Sequence, residues 1–262
     1  MDFTPIIPIT VAAGLAGFID SIVGGGGLVM VPSLFAAYPN AVPPSLLGTN
    51  KAASVWGTAF ASWIYTKKVN LPLGGLMAGA ACALVGSFTG AWGVTLVTAS
   101  AFKAALPIVL LALLIYTIKK KELGQTHKPK FTRRQETIRL AIIGVLIGFY
   151  DGFFGPGTGS FFVFLLVRWL GFDFLHASAG AKILNTASNS AALILFSIQG
   201  YVWWDLAIPL AIANVFGSML GTRLAVRNGA SFVRYFFICI VSLLIFKTSA
   251  DFVWPLIKTI FN

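Results

Sequence analysis

Two lysines stand inside strongly apolar runs of the sequence and are the residues best placed to do chemistry. Lys51 and Lys182 each lie about two helical turns into such a run. A buried ammonium in lipid is costly, so such a lysine indicates function unless it reaches the interface or pairs with an acid. The sequence leaves these interpretations open, and the matched positions of the two lysines favour function.

Hydroxyl and amide side chains surround both lysines. In the second run, Lys182, Asn185 and either Ser188 or Asn189 recur at intervals of three or four, which places them on one side of a helix. Hydroxyls, amides and an ammonium, without a wall of carboxylates, suit an oxyanion better than a metal cation. The candidate substrate-binding side chains are therefore Thr49, Asn50, Lys51, Ser54, Lys182, Asn185, Ser188 and Asn189.

Two glycine-rich segments, 24–27 and 155–159, interrupt the apolar runs. Relative to alanine, glycine costs about 1 kcal/mol and proline about 3 kcal/mol inside a helix. At membrane depth, the freed backbone groups persist only against protein or a water-filled cavity, and a helix start beyond the break suits a small anion. Close helix packing is the alternative. The breaks add Gly25, Gly26, Gly157 and Thr158 to the candidate substrate-binding residues.

An aspartate ends the apolar run ahead of each break. Asp20 and Asp151 could accept protons in a coupled cycle, cap the following helix or form ion pairs with the lysines, and the sequence does not decide among these roles. His127 and His176 have no metal-ligand spacing, and the chain contains no nucleophile elbow, metalloprotease motif, phosphate-binding loop or nicotinamide fingerprint. We therefore expect neither an enzyme nor a cofactor or metal.

The chain contains an internal repeat at an offset of 131 residues. Gly17–Asp20 aligns with Gly148–Asp151, and Lys51 aligns with Lys182. Further on, Gly86 and Gly90 align with Gly217 and Gly221. Apolar matches mean little in so apolar a chain, but coincident aspartate, lysine and glycine pairs indicate duplication.

The composition indicates that these elements lie in a membrane. Of the 262 residues, 57% are hydrophobic and 10% are charged, against about 25% charged in soluble domains. The mean hydropathy of +0.86 excludes a soluble protein. Since a span needs about 20 residues, we predict an all-α polytopic protein with about eight to ten spans. Its parts would be a first transmembrane repeat (1–118), a basic linker (119–137) and a second repeat (138–262), as read from the sequence.

Each half contains about five hydrophobic segments, of which the first two could be short or re-entrant. The odd number predicts that the second half is inverted. With the N-terminus outside, Lys67, Lys68, Arg168, Arg223, Arg227 and the linker fall on the cytoplasmic side, whereas 38–44, 98–101 and 199–205 carry no Lys or Arg. The net charge of +11 is therefore interpreted as membrane orientation and not as nucleic-acid binding. Inverted repeats are typical of secondary transporters, which bind substrate near the midplane.

Several motifs together resemble the TauE/SafE family of membrane transport proteins. They are the run Gly17–Gly27, Pro32, Gly48-Thr49-Asn50-Lys51, the Gly86-x-x-x-Gly90 motif and Trp204-Asp205. The resemblance covers essentially the full chain and implies a bacterial or archaeal inner-membrane permease for sulfite, sulfoacetate, other organosulfonates or related sulfur anions. At the second break, Pro156 and Thr158 replace glycines that are usual in the family.

Two functions follow from these observations. The first is a secondary transporter that moves a small sulfur-containing anion by alternating access, and the alternative is an anion channel in which the lysines act as selectivity elements. The expected partners are the anion and the lipid bilayer, without nucleic acid, and a homo-oligomer is left open. The identity of the anion, the direction of transport and the coupling ion are not encoded in any motif.

Overall fold

A computed structural model describes residues 5–102, 105 and 131–261. These residues form helices and connecting turns without a β-strand, which confirms the predicted all-α membrane fold for this part of the chain. The helices with both ends described are α1 (Ile6–Val23), α2 (Gly27–Ala37), α3 (Pro43–Lys68), α4 (Leu73–Thr95), α5 (Arg133–Phe153), α6 (Thr158–Leu165), α7 (Phe174–Ile198) and α8 (Trp204–Phe261). A π-helical turn, Leu166–Leu170, extends α6.

Local sequence signals set several of these boundaries. Helix α1 ends at Gly24, whose φ of 77° is the left-handed conformation that glycine adopts most easily at a helix C-terminus. Helix α5 begins with a reciprocal capping box between Thr132 and Gln135. Helix α7 begins where the Asp173 carboxylate accepts a hydrogen bond from the His176 backbone N–H. Gly229 interrupts α8 with non-helical backbone angles.

Among the described residues, three helical stretches are long and apolar enough to cross a membrane: Ile6–Val23, Leu73–Thr95 and Trp204–Phe236. Their outward faces are apolar, as on α1, where Ile7, Val11 and Leu15 are exposed one turn apart. Helix α2 has only 11 residues, or roughly 16 Å of length, about half of the hydrocarbon thickness. Its equivalent α6 has only 8 residues, so the first two segments of each half include one helix that is too short to span.

The helices follow the predicted offset. The first residues of α2, α3 and α4 are Gly27, Pro43 and Leu73, and those of α6, α7 and α8 are Thr158, Phe174 and Trp204, each 131 positions later. Helix α1 packs on α8, and its equivalent α5 packs on α4. Helix α3 likewise packs on α8, and its equivalent α7 packs on α4. The first and third helices of each half thus contact the fourth helix of the other half.

Glycines bring these crossed helices into backbone contact. A Cβ at Gly86 or Gly90 would overlap the carbonyl oxygen of Val145 or Phe149, respectively. The same overlap recurs 131 residues later, where Gly217 and Gly221 meet Gly14 and Phe18. Small residues therefore let α4 approach α5, and α8 approach α1, as close helix pairs do in membranes.

The equivalent helices α3 and α7 run antiparallel. Gly48, near the start of α3, lies against Phe196, near the end of α7, and Lys51 contacts Asn189. This contact supports the predicted inversion of the two halves. The domain boundaries remain predictions: residues 103–104 and 106–130 lie outside the described residues, and 133–137 of the predicted linker already belong to α5.

Basic and neutral loops gather at opposite ends of the helix bundle. Gly75, at the start of α4, lies near Thr137 in α5, and the Arg139 guanidinium lies 5.3 Å from the Trp169 ring. At the other end, Tyr38 and Trp203 meet with ring centroids 5.3 Å apart. Which end faces the cytoplasm stays a prediction.

Candidate functional site

A small polar cavity lies between the two halves, where α1, α3, α5 and α7 meet the two glycine breaks. Its volume is about 30 Å³, which is room for about two water molecules at roughly 10–15 Å³ each. Glycines and polar side chains make up most of its lining, with Ala16, Met30 and Ala53 among the apolar exceptions. The cavity is therefore suited to a polar ligand and too small for one of several heavy atoms in this conformation.

The first lysine pairs with the aspartate of the opposite half. Lys51 Nζ lies 2.6 Å from Asp151 Oδ1, and both side chains are 2% exposed. The same ammonium donates to Asn189 Oδ1 at 2.8 Å. Helices α3, α5 and α7 are thus joined at one charged group. Removing one partner of such a buried pair typically costs about 3–5 kcal/mol, because the other charge is left uncompensated.

The second lysine forms the reciprocal pair. Lys182 Nζ lies 2.8 Å from Asp20 Oδ2, with side-chain exposures of 0% and 14%. The Thr58 hydroxyl approaches the same oxygen at 3.4 Å. Since Asp20 and Asp151, like the two lysines, are 131 positions apart, each half contributes one lysine and one aspartate to the pairs that cross the interface.

The two glycine breaks touch at the cavity. A Cβ on Gly24 would overlap the backbone of Gly159, and the Ser160 N–H donates to the Gly24 carbonyl at 3.0 Å. Gly24, Gly155 and Gly157 have φ values of 77°, 85° and 77°, which side chains rarely adopt. The sequence needs glycine here for both the backbone turn and the close approach.

Side chains satisfy the carbonyls that the breaks release. Ser178 Oγ donates to the Ile22 carbonyl at 2.7 Å, and Ser160 Oγ donates to the Val23 carbonyl at 2.9 Å. In the second break, the Tyr150 hydroxyl donates to the Pro156 carbonyl at 2.6 Å. These bonds are the internal compensation that irregular backbone needs inside a membrane.

Most of the residues predicted from the sequence meet at the cavity. Of the candidate substrate-binding residues and the two aspartates, the lining includes Asp20, Gly26, Asn50, Lys51, Ser54, Asp151, Thr158, Asn185 and Asn189. Their role in binding substrate stays a prediction.

Five candidates lie elsewhere. Thr49 Oγ1 accepts from the Trp203 N–H at 3.1 Å, and the Ser188 hydroxyl donates to the Asn185 carbonyl at 3.2 Å. Lys182 approaches the cavity only through Asp20. Gly25 and Gly157 lie within the breaks without lining this space.

Two polar lining side chains escaped the sequence analysis, namely Thr58 and Asn214. Thr58 follows Ser54 by one turn and Lys51 by two, so helical periodicity contained the signal. Asn214 aligns with Ala83 in the other half, so comparison of the repeats does not reveal it. Its amide nitrogen donates to the Ala13 carbonyl at 3.2 Å.

Two buried acceptors at the cavity have no hydrogen-bond donor within the described part of the chain. They are Asn50 Oδ1 and Asp151 Oδ2. Buried polar atoms are nearly always hydrogen-bonded, so two such acceptors on residues that line one cavity indicate a place for water or a ligand that donates.

Comparisons with known proteins agree over nearly the whole chain. The family profile described as "Sulfite exporter TauE/SafE" matches residues 9–248. A probable membrane transporter protein, ORF9, from Sinorhizobium sp is 35% identical over 94% of this chain and 93% of its own length. The probable membrane transporter YfcA of Escherichia coli K12 is 36% identical over 85% of this chain and 81% of its own length. No solved structure matches the chain.

Proposed function

The chain belongs to the sulfite exporter TauE/SafE family and is a multi-pass membrane transporter, and from this premise we propose that it moves small sulfur-containing anions across the cell's inner membrane by alternating access. Sulfite, sulfoacetate and other organosulfonates are the proposed substrates. The family supplies the sulfur chemistry, and the polar cavity between the halves supplies a binding place.

The observation that carries this proposal is the cavity that both halves build together. Crossed ion pairs and touching glycine breaks surround a space of only about 30 Å³. A sulfonate with an organic tail has more non-hydrogen atoms than the roughly two waters that fit there. Binding therefore needs the two halves to move apart. In alternating access, the two halves of a transporter move in this way around a fixed binding site.

The lining carries donors that suit an anion, although the carboxylates of Asp20 and Asp151 also line it. Lys51 supplies an ammonium, and Asn185 and Asn189 carry amides, which can donate hydrogen bonds to oxyanion oxygens. Helices α2 and α6 begin beside the cavity, at Gly27 and Thr158, so their N-terminal dipoles face the same space.

The proposed orientation places the N-terminus outside and 119–137 in the cytoplasm, and the clustering of basic residues at one end supports it. Single cysteines at Asn40 and Lys68, in a background without Cys82 and Cys239, test it in spheroplasts. We expect an impermeant maleimide to label the first position directly and the second only after lysis. The reverse pattern would invert the topology.

A thermal-shift screen of the detergent-purified chain tests the substrate class. Sulfite, sulfate, thiosulfate, sulfoacetate and taurine are compared with acetate. A ligand that binds only the folded state raises the melting temperature, because it adds about 2.7 kcal/mol to the free energy of unfolding at a concentration of 100 times Kd. We expect stabilisation by at least one sulfur anion and none by acetate. No stabilisation by any sulfur anion would refute the substrate class.

Flux into proteoliposomes then tests the mechanism. We expect saturable, substrate-specific uptake of the stabilising anion. A current that rises linearly with voltage and does not saturate would identify a channel instead.

A further inference from the structure

The two crossed ion pairs are equivalent by position but not by environment. Asp20 Oδ2 accepts from Lys182 and is approached by the Thr58 hydroxyl. Asp151 uses only Oδ1 for Lys51, while its Oδ2 is buried without a donor in the described part of the chain. Lys51, unlike Lys182, has a second acceptor of its own, Asn189 Oδ1. Asp151 is thus the aspartate that can give up its role in the pair.

The cavity as it stands opposes an anion in two ways. The two ammoniums are already neutralised by two carboxylates, so an added anion would bring an uncompensated charge into a medium of low dielectric constant. A sulfonate also offers only acceptor oxygens, yet Asp151, which lines the cavity, already has a buried acceptor oxygen, Oδ2, without a donor in the described part of the chain. One proton on that oxygen removes both obstacles.

We infer that Asp151 takes up one proton for each sulfonate monoanion that binds, so that the protein transports the anion together with a proton. This inference rests on the proposed function and adds the coupling ion to it. A hydronium ion of the surrounding water transfers a proton, so that one of its O–H bonds breaks, one O–H bond forms at Asp151 Oδ2 and a water molecule is left. The Lys51 ammonium remains on Asn189, and it and the new hydroxyl donate to the sulfonate. Because the anion replaces the carboxylate charge, the net charge of the site is unchanged.

The groups around Asp151 assign this proton to one pair. Lys51 is the charged group that α3 brings to it, and Tyr150 on α5 itself donates its hydroxyl to the Pro156 carbonyl. Helices α4 and α6, which pack against α5, contain no Asp, Glu, Lys, Arg or His. Helix α7 contributes Asn189 to the pair, its Lys182 is bound to Asp20, and its His176, thirteen residues before Asn189, pairs with Asp173. A pH dependence of binding therefore reports on the Lys51–Asp151 pair.

Calorimetric binding of ethanesulfonate to the purified full chain tests the inference. Its sulfonate stays ionised from about pH 5 to about pH 8, so a pH dependence across this range belongs to the protein. We expect affinity to fall by up to about tenfold per pH unit as the pH rises, because each binding event takes up one proton. Asp151→Asn, whose side chain cannot take up a proton, should bind ethanesulfonate with little pH dependence.

Matched amide substitutions separate this role from general effects. Asp20→Asn should retain the pH dependence, and Asp205→Asn, which changes an exposed acid at the start of α8, should behave as the wild type. Wild-type binding that is independent of pH would overturn the inference and leave the proposed function standing. Loss of the pH dependence in Asp20→Asn but not in Asp151→Asn would also overturn it. Absence of ethanesulfonate binding by the wild type would overturn the inference, whereas the proposed function fails only if no sulfur anion binds.

A second measurement needs only the wild-type protein and so survives a variant that fails to fold. In proteoliposomes with an internal pH dye, we expect one proton to enter with each ethanesulfonate. Because the two charges cancel, a potassium diffusion potential should not change the uptake rate. Uptake that responds to the potential and moves no proton would overturn the inference.

Discussion

The two halves of the molecule share their scaffold but line their common cavity unequally. Glycine contacts between crossed helices and both ion pairs recur at the same offset. Around the cavity, however, α3 contributes its lysine directly, whereas Lys182 of α7 is held behind Asp20. Backbone contacts need the same small residues in both halves, while an anion needs only one arrangement of donors. The duplicated scaffold therefore leaves side chains at the site free to diverge.

Alanine substitutions at the equivalent glycines Gly24 and Gly155 should show the largest difference between the two halves. A Cβ at Gly24 would overlap the Gly159 backbone, whereas at Gly155 the nearest atom is 3.4 Å away and left-handed φ is the main cost. Gly155→Ala should cost about 1–2 kcal/mol, and Gly24→Ala should prevent assembly of the native bundle. Size-exclusion chromatography and thermal melting in detergent measure both.

Gly74→Ala is the matched control for these two substitutions. Gly74 is an exposed helical residue with no atom near an added Cβ, so alanine should leave stability unchanged or raise it by up to about 1 kcal/mol. A native, monodisperse Gly24→Ala protein would show that the two breaks do not touch as described.

Substitutions of the two lysines should have the next largest difference in their effect on stability. Lys51→Met leaves Asp151 buried and unpaired, at a cost of about 3–5 kcal/mol, whereas Lys182→Met leaves Asp20, which is 14% exposed and near the Thr58 hydroxyl. We expect a smaller loss of thermal stability in Lys182→Met and loss of sulfur-anion flux in both variants. Lys182→Ala should likewise insert and fold but not transport.

The double variant Lys51→Met/Asp151→Leu removes the buried charges together. It should recover much of the stability that Lys51→Met loses, since a buried ion pair can be replaced by packed apolar groups, but it should not recover flux. Undiminished flux in any of these lysine variants would exclude that lysine from the transport mechanism.

The sequence allowed prediction of the residues whose burial in a membrane has a high free-energy cost. Intramembrane lysines and aspartates and consecutive helix breakers are visible without coordinates, and most of them meet at the cavity. Which aspartate meets which lysine was not predictable, because it depends on how α1 and α5 cross the other half. Thr49 instead accepts from the Trp203 N–H, and the Ser188 hydroxyl donates within α7. Spacing places residues on one side of a helix without identifying what that side contacts.

Two equivalent buried hydroxyls allow the stability of the two halves to be compared with smaller expected effects. Ser87 Oγ donates to the Ser188 carbonyl, and its equivalent Ser218 Oγ donates to the Gly57 carbonyl, both at 2.6 Å and both buried. If the scaffold is symmetric in energy as well as in geometry, Ser87→Ala and Ser218→Ala should each cost about 1 kcal/mol. Thr66→Ala, at an exposed hydroxyl on α3, is the control. Melting temperatures that fall in only one of the two serine variants would show unequal halves.

Asn214 tests whether the two halves contribute different side chains to binding, and its substitution has the smallest expected effect. It lines the cavity from α8, and the equivalent position in α4 is Ala83, so only one half provides this amide. Replacing it with alanine removes a donor worth about 0.5–1.5 kcal/mol, so ethanesulfonate affinity should fall by a few-fold. Ala83→Ser places a polar group at the equivalent position and should leave affinity unchanged, because Ala83 lies against Gly148 rather than at the cavity. Equal effects of the two substitutions on binding would mean that the site follows the symmetry of the scaffold after all.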